Sequence, residues 1–287
     1  MANITPQLVK ELREKTGAGM GDCKNALVES YGDMQAAIEI LRKKGAASAA
    51  KRSMRSANEG LVVAKTTPDG KSAMIVEINC ETDFVARNAE FERYSNEVSD
   101  AILNNNPSSI EDLMKIEIAN DTIQGLHNEI LAKFSENISI RRFDKIQTTG
   151  FVASYIHVGS KLGVLIEMSL SQPSEKSFQL IRDIAMQIAA MNPMFVDKEQ
   201  VSAEKLEKEI EIYKEIAINE GKKPEIAERI AHGRLEKFFQ EQCLVEQAFV
   251  KDGNKIVKDV IKEISEDAGT EVKVISFKRY LLGESLD

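Results

Sequence analysis

The sequence predicts an α+β protein: a small helical bundle first, then two sheet-and-helix units, with a helical hairpin projecting from the second. Three observations carry this. Helical stripes without strands fill residues 5–45; strand–turn–strand patterns appear twice, 90 residues apart; and a Glu/Lys-dense stretch at 199–238 carries a narrow apolar seam.

The elements follow in order. Thr5-Pro6 reads as an N-cap followed by proline at the first helical position, and Leu8, Val9 and Leu12 recur at helical spacing. Thr16 to Gly21 break that helix, and Asp22 is placed to cap the next, with Cys23, Ala26 and Leu27 on one face. Gly32-Asp33 breaks and caps again before Met34, Ala37, Ile38 and Leu41. Residues 46–58 are basic, with Lys51, Arg52 and Arg55 and only Met54 as a large apolar residue, which predicts a linker or a frayed helix.

Residues 60–66 (GLVVAKT) and 72–79 (SAMIVEIN) flank Pro68-Asp69-Gly70 and read as a β-hairpin. One helix is expected from Asp83 to Leu103, with Phe84, Ala89, Phe91, Tyr94, Val98 and Ile102 as apolar positions. Short helices are expected near 110–118 and 122–135, and a strand from Ile138 to about Gln147. Gly150 then opens a second hairpin as Gly60 opened the first. Val62 matches Val152, Lys71 matches Lys161 and Glu77 matches Glu167, which predicts a structural duplication. A helix at about 175–190 and a last strand at 271–282 complete the second copy.

The insertion at 199–238 has Leu206, Ile210, Tyr213 and Ala217 spaced 4-3-4, a coiled-coil seam. Gly221 to Pro224 turns the chain, and Ile226, Ile230, Ala231, Leu235 and Phe238 return. The expected organisation is 1–56 bundle and linker, 57–148 first core unit, 149–198 first part of the second, 199–238 helical hairpin, and 239–287 the last strand with a C-terminal helical module.

Composition limits function. Lys and Arg number 38 against 46 Asp and Glu, a net charge of −8, which argues against wrapping bulk nucleic acid. Cys23, Cys80 and Cys243 have no CxxC spacing, so they read as small buried thiols in a reducing compartment. No apolar run is long enough to span a membrane. Met1 to Lys15 lacks an apolar core and carries Glu11 and Glu14, unlike a leader, so a cytoplasmic protein is expected.

Catalytic motifs are missing: there is no GxxxxGK[ST], HExxH or GxSxG. Gly17, Gly19 and Gly21 follow a helix rather than a strand and read as an interhelical turn. His127, His157 and His232 share no metal spacing. The expectation is no catalytic residue, no metal and no cofactor.

One segment carries more: Glu77-Ile78-Asn79-Cys80-Glu81-Thr82-Asp83-Phe84-Val85-Ala86-Arg87. Thr82 or Asp83 is placed to cap the following helix. Phe84 falls in its first turn. It reads either as a core residue or as an exposed anchor, paired with a carboxylate, for a partner's pocket.

This segment and Leu12 to Leu27 (LREKTGAGMGDCKNAL) resemble the bacterial elongation factor Ts family, and the resemblance covers essentially the whole chain. Ile138 to Arg142, Tyr155-Ile156-His157, Gly163-Val164-Leu165 and Val201 to Glu204 support it. The resemblance implies a ubiquitin-associated-like N-terminal bundle, two related antiparallel-sheet/helix subdomains, a coiled-coil protrusion and a C-terminal helical module. It implies guanine-nucleotide exchange on elongation factor Tu, without an enzymatic reaction of its own. Thr82, Asp83, Phe84 and Val85 would dislocate the partner's Mg²⁺, and His157 would make a further contact. A homodimer through the coiled coil or the core is a compatible assembly; nucleic acid and membrane are not expected partners. A scaffold or adaptor is the rival reading, and an enzyme the third.

Overall fold

The computed structural model describes residues 4–52, 55–119 and 121–285, the side chains of 45–52 excepted. Met54, and the side chains of Lys51 and Arg52, lie outside that description.

Helices α1 (Pro6–Thr16), α2 (Met20–Glu29) and α3 (Met34–Arg52) form the N-terminal bundle around Leu12, Cys23, Ala26, Leu27 and Ala37. Thr5 caps α1 as expected, its hydroxyl accepting from the Leu8 N–H. Asp22 does not cap α2. The helix begins two residues earlier, with Gly19 at the cap, because the chain leaves αL Gly17 already extended. Asp33 does cap, accepting from the Ala36 N–H at 3.0 Å. The alanine-rich 46–52 stretch continues α3, as its helix propensity favours.

Strands β1 (Glu59–Thr66) and β2 (Ser72–Cys80) form the first hairpin. The expected helix from Asp83 to Leu103 is two helices, α4 (Asp83–Ala86) and α5 (Ala89–Asn105). Asn88 breaks them apart: its side chain caps α5 by accepting from the Glu90 N–H. Ala89 is exposed, against the predicted stripe, while Phe91, Tyr94, Val98 and Ile102 are buried. Then come α6 (Ile110–Met114), shorter than expected, the two-residue strands β3 (Glu117–Ile118) and β4 (Asp121–Thr122), α7 (Ile123–Lys133) and β5 (Ser139–Gln147).

The chain repeats the pattern with β6 (Phe151–Ile156), β7 (Leu162–Met168) and α8 (Glu175–Met191). Helices α9 (Ala203–Asn219) and α10 (Pro224–Gln242) make the antiparallel hairpin. β8 (Ala248–Phe249), β9 (Asp252–Ile256), α11 (Val257–Ala268) and β10 (Val274–Leu281) end the chain. In the hairpin Ala217, Ala227, Ala231 and Phe238 are buried between the helices. Ile226 faces solvent, and Ala227 holds the seam position assigned to it.

The protein is thus a mixed helix and antiparallel-sheet molecule. Sheet β1-β2-β5 and sheet β10-β7-β6 pack face to face. Period-2 alternation decides the layers. Met74, Val76, Ile78 and Cys80 of β2 face the core beneath α5 and α7. Ala73 and Ile75 face the other sheet, with Val62, Val152, Leu165 and Tyr280. Gly163 permits the close approach, since a Cβ there would lie 2.8 Å from Val62 Cγ1. Contacts across the sheets are reciprocal at the 90-residue offset. Val62 N–H donates to the Ser160 carbonyl at 2.7 Å, and Val152 N–H to the Gly70 carbonyl at 2.8 Å.

Candidate partner-binding site

β2 runs off its buried end at Cys80 into Glu81-Thr82, and one turn of helix follows. Thr82 is the N-cap, accepting from the Val85 N–H. Asp83 is therefore the first helical residue rather than the cap. Its carboxylate lies 3.2 Å from Arg87 at the surface. Within this turn the side chains divide. Phe84 is 83% exposed, whereas Val85 and Ala86 are buried in the core.

The backbone beneath Phe84 is held by a residue far away in sequence. Glu136 accepts from the Glu81 and Thr82 N–H groups at 3.1 and 3.0 Å and from the Thr82 hydroxyl at 2.6 Å. Glu81 in turn accepts from the Asn137 N–H at 2.6 Å and pairs with Arg55 at 3.4 Å. The Cys80 thiol donates to the Thr82 carbonyl at 3.2 Å. Burial, reinforced by the Glu136 charge, pushes that thiol up to about 12, so it stays protonated and keeps donating.

His157 begins the turn between β6 and β7. Its N–H donates to the Leu162 carbonyl, its carbonyl accepts from Ser160 N–H, and Nδ1 lies 2.9 Å from the Tyr155 hydroxyl. Val158 beside it is 92% exposed. The turn and the Phe84 loop share one end of the sandwich. Glu59, at the start of β1, pairs in register with Cys80, and its carboxylate meets Lys161 at 2.7 Å.

The five predicted residues therefore fall into two roles. Asp83, Phe84 and His157 face outward at this end; Thr82 and Val85 hold the backbone that presents Phe84. Sequence reasoning missed Glu136, Asn137 and Val158. An apolar residue in a Gly-Ser turn was a readable sign for Val158, but nothing local marks Glu136. Among the described residues no cluster of His, Cys, Asp or Glu is arranged to hold a metal ion. The three cysteines are buried free thiols. No helix among the described residues is long and apolar enough to cross a membrane.

The geometry is that of a rigid aromatic–carboxylate tip. An exposed phenylalanine whose backbone is already ordered loses little further entropy when a partner buries it. Fold and site together define a two-sheet α+β protein with an ordered turn that exposes an aromatic ring beside a carboxylate.

Comparison with known proteins identifies the family. The family model described as elongation factor TS matches residues 81–284. Elongation factor Ts of Clostridium perfringens strain SM101 is 44% identical over 286 residues, covering 99% of this chain and 94% of that protein. The Prosthecochloris aestuarii protein of the same name is 45% identical over 288 residues, covering 99% and 100%. The chain belongs to the elongation factor Ts family, and is a translation elongation factor of protein biosynthesis.

Proposed function

We propose that the protein is a guanine-nucleotide exchange factor for elongation factor Tu, and that it acts by inserting the Asp83–Phe84 tip beside the partner's nucleotide site. The observation that carries this is Phe84, exposed on a backbone pinned by Glu136. The protein performs no covalent step; the nucleotide and Mg²⁺ belong to the GTPase. Such nucleotides are held by backbone amides around the phosphates and by Mg²⁺. An exchange factor binds the nucleotide-free GTPase better than the loaded one. By linkage, the factor by which it weakens GDP equals the factor by which GDP weakens it. Phe84 supplies contact area available only when the partner's helices have parted. Asp83 brings a carboxylate that accepts from partner backbone and disturbs the Mg²⁺ surroundings. His157 makes a second contact from the adjoining turn.

The same reading assigns the parts. Residues 1–56 are a ubiquitin-associated-like domain and linker that docks on the GTPase. Residues 57–148, 149–198 and 239–287 form two subdomains related by duplication, the last with the C-terminal module. Residues 199–238 are a coiled-coil protrusion. The protein works in the cytoplasm, with the GTPase rather than nucleic acid or membrane as its partner.

Release of mant-GDP from elongation factor Tu tests the proposal. Acceleration at catalytic amounts of this protein is the expected result; binding without acceleration would leave the adaptor reading.

A further inference from the structure

Glu77 is the most enclosed charge of the sheet sandwich, with no exposed surface. Its Oε1 accepts from the Gly283 N–H at 2.8 Å and from Arg141 at 2.9 Å; Oε2 accepts from Arg142 Nε at 2.7 Å. Two consecutive arginines of a strand should point to opposite faces. Here a bulge intervenes: Glu77 pairs with Arg142 but Ile78 pairs with Ile140, so Arg141 is the extra residue and both guanidiniums reach one carboxylate.

The arginines continue to the C-terminal segment. Arg141 donates to the Glu284 carbonyl at 2.5 Å and Arg142 to the Leu281 carbonyl at 3.2 Å, with Arg142 4.0 Å above the Tyr280 ring. The same segment reaches the other way: Leu282 N–H donates to the Lys161 carbonyl at 2.8 Å. Leu281–Glu284 is thus a strap. One side is fixed to β2, five residues before Thr82. The other is fixed to the turn that starts at His157.

A buried carboxylate with two arginines is a poor source of stability, because desolvation offsets most of the attraction; what it does provide is one defined arrangement. We propose that Glu77 is a positioning residue which, through the strap Leu281–Glu284, fixes the spacing between the Phe84 tip and the His157 turn. This rests on the reading that both tips meet the same partner.

Spacing is measurable without that partner. Spin labels at Arg87→Cys and Val158→Cys report on the two tips in the full chain; the native thiols are buried and stay unlabelled. The parent should give one narrow distance. Glu77→Gln, and separately a chain ending at Leu282, should each about double its width well below melting, as expected when a supporting shell is lost. Unchanged widths in both would overturn the proposal. If Glu77→Gln does not fold, the shortened chain decides alone. A second readout is the double-mutant cycle of Glu77→Gln with Phe84→Ala in mant-GDP release. Positioning predicts that the Phe84 penalty shrinks about threefold or more in the Glu77 variant, and strict additivity counts against it. Failure of exchange in the parent chain would refute the functional reading while leaving the distance result intact.

Discussion

Phe84→Ala separates recognition from folding. Most of the ring lies in solvent, so truncation leaves no cavity and removes no core contact. Melting should stay within a few degrees of the parent. Burying an aromatic side chain of roughly 200 Å² at ~25 cal/mol per Å² is worth about 5 kcal/mol before ordering costs. Truncated interface anchors lose on the order of 2–4 kcal/mol. Affinity for nucleotide-free elongation factor Tu should therefore fall about thirty- to thousand-fold. Phe91, seven residues on and wholly buried, is the internal control. Phe91→Ala should cost about 3–5 kcal/mol of folding stability, with activity following the folded fraction. Mant-GDP release and thermal melting are measured on both variants. A Phe84→Ala protein that melts far lower and regains exchange when cooled would refute the reasoning and return Phe84 to the core.

Asp83→Ala should weaken exchange more mildly. It should cost below about 1 kcal/mol of stability, since Thr82 is the cap and the Arg87 pair is exposed; a larger drop in melting would mean that Asp83 holds the turn. Deleting residues 1–55 should leave the two-sheet core folded, because that core draws on separate apolar clusters, while affinity for the GTPase falls; unaltered affinity contradicts a docking role for the bundle. Shortening the hairpin between Glu207 and Arg234 spares its base at Val201, Phe238 and Cys243 and should preserve exchange within about tenfold, roughly 1.4 kcal/mol of barrier; a greater loss would place the hairpin against the partner. Buried His127, 2.6 Å from the Tyr94 hydroxyl, is pushed by desolvation down to about 4. Its neutral form is favoured in the folded state, so stability is full above the unfolded value near 6.5 and is lost as pH falls toward 4. Between pH 7 and pH 5 the loss should be about 2 kcal/mol, read from urea midpoints. A His127→Gln chain with the same acid slope would show that other groups cause it.

Local signals were legible where the physics is local. The Thr5 and Asp33 caps, both hairpins and the 90-residue offset could be read because turn chemistry and period-2 alternation act over a few residues. The break at Asn88 was also written locally, as an asparagine cap before Glu90, but the apolar period masked it. Asp22 misled because a capping type sat two residues inside a helix whose start was set by Gly17 and Gly19. Ile226 misled because either of two adjacent residues satisfies a seam, and the smaller Ala227 allows α9 and α10 to approach. What no window of sequence reveals is Glu136 beneath Thr82, or Gly283 against Glu77. These contacts span 54 and 206 residues and exist only once the sheets have formed.

The four residues Thr82 to Val85 look like one motif but divide by physical task. Thr82 spends its hydroxyl on Glu136 and on the helix cap, and Val85 fills the core. Both side chains thus have partners within the fold, Val85 buried and Thr82 half-buried. Asp83 and Phe84 lie between them on the solvent side of the same turn. Exposing Phe84 leaves its hydrophobic free energy unrealised in the free protein, and the pinned backbone stops the ring from folding inward to recover it. Thr82→Ala and Val85→Ala should therefore lower stability, by about 1 kcal/mol for a lost cap and about 1.5–3 kcal/mol for an unburied valine, with exchange impaired through disorder of the turn. Cooling or a stabilising osmolyte should restore much of that activity, whereas neither should restore Phe84→Ala. Equal recovery in all three variants would mean that the ring has no role apart from the fold.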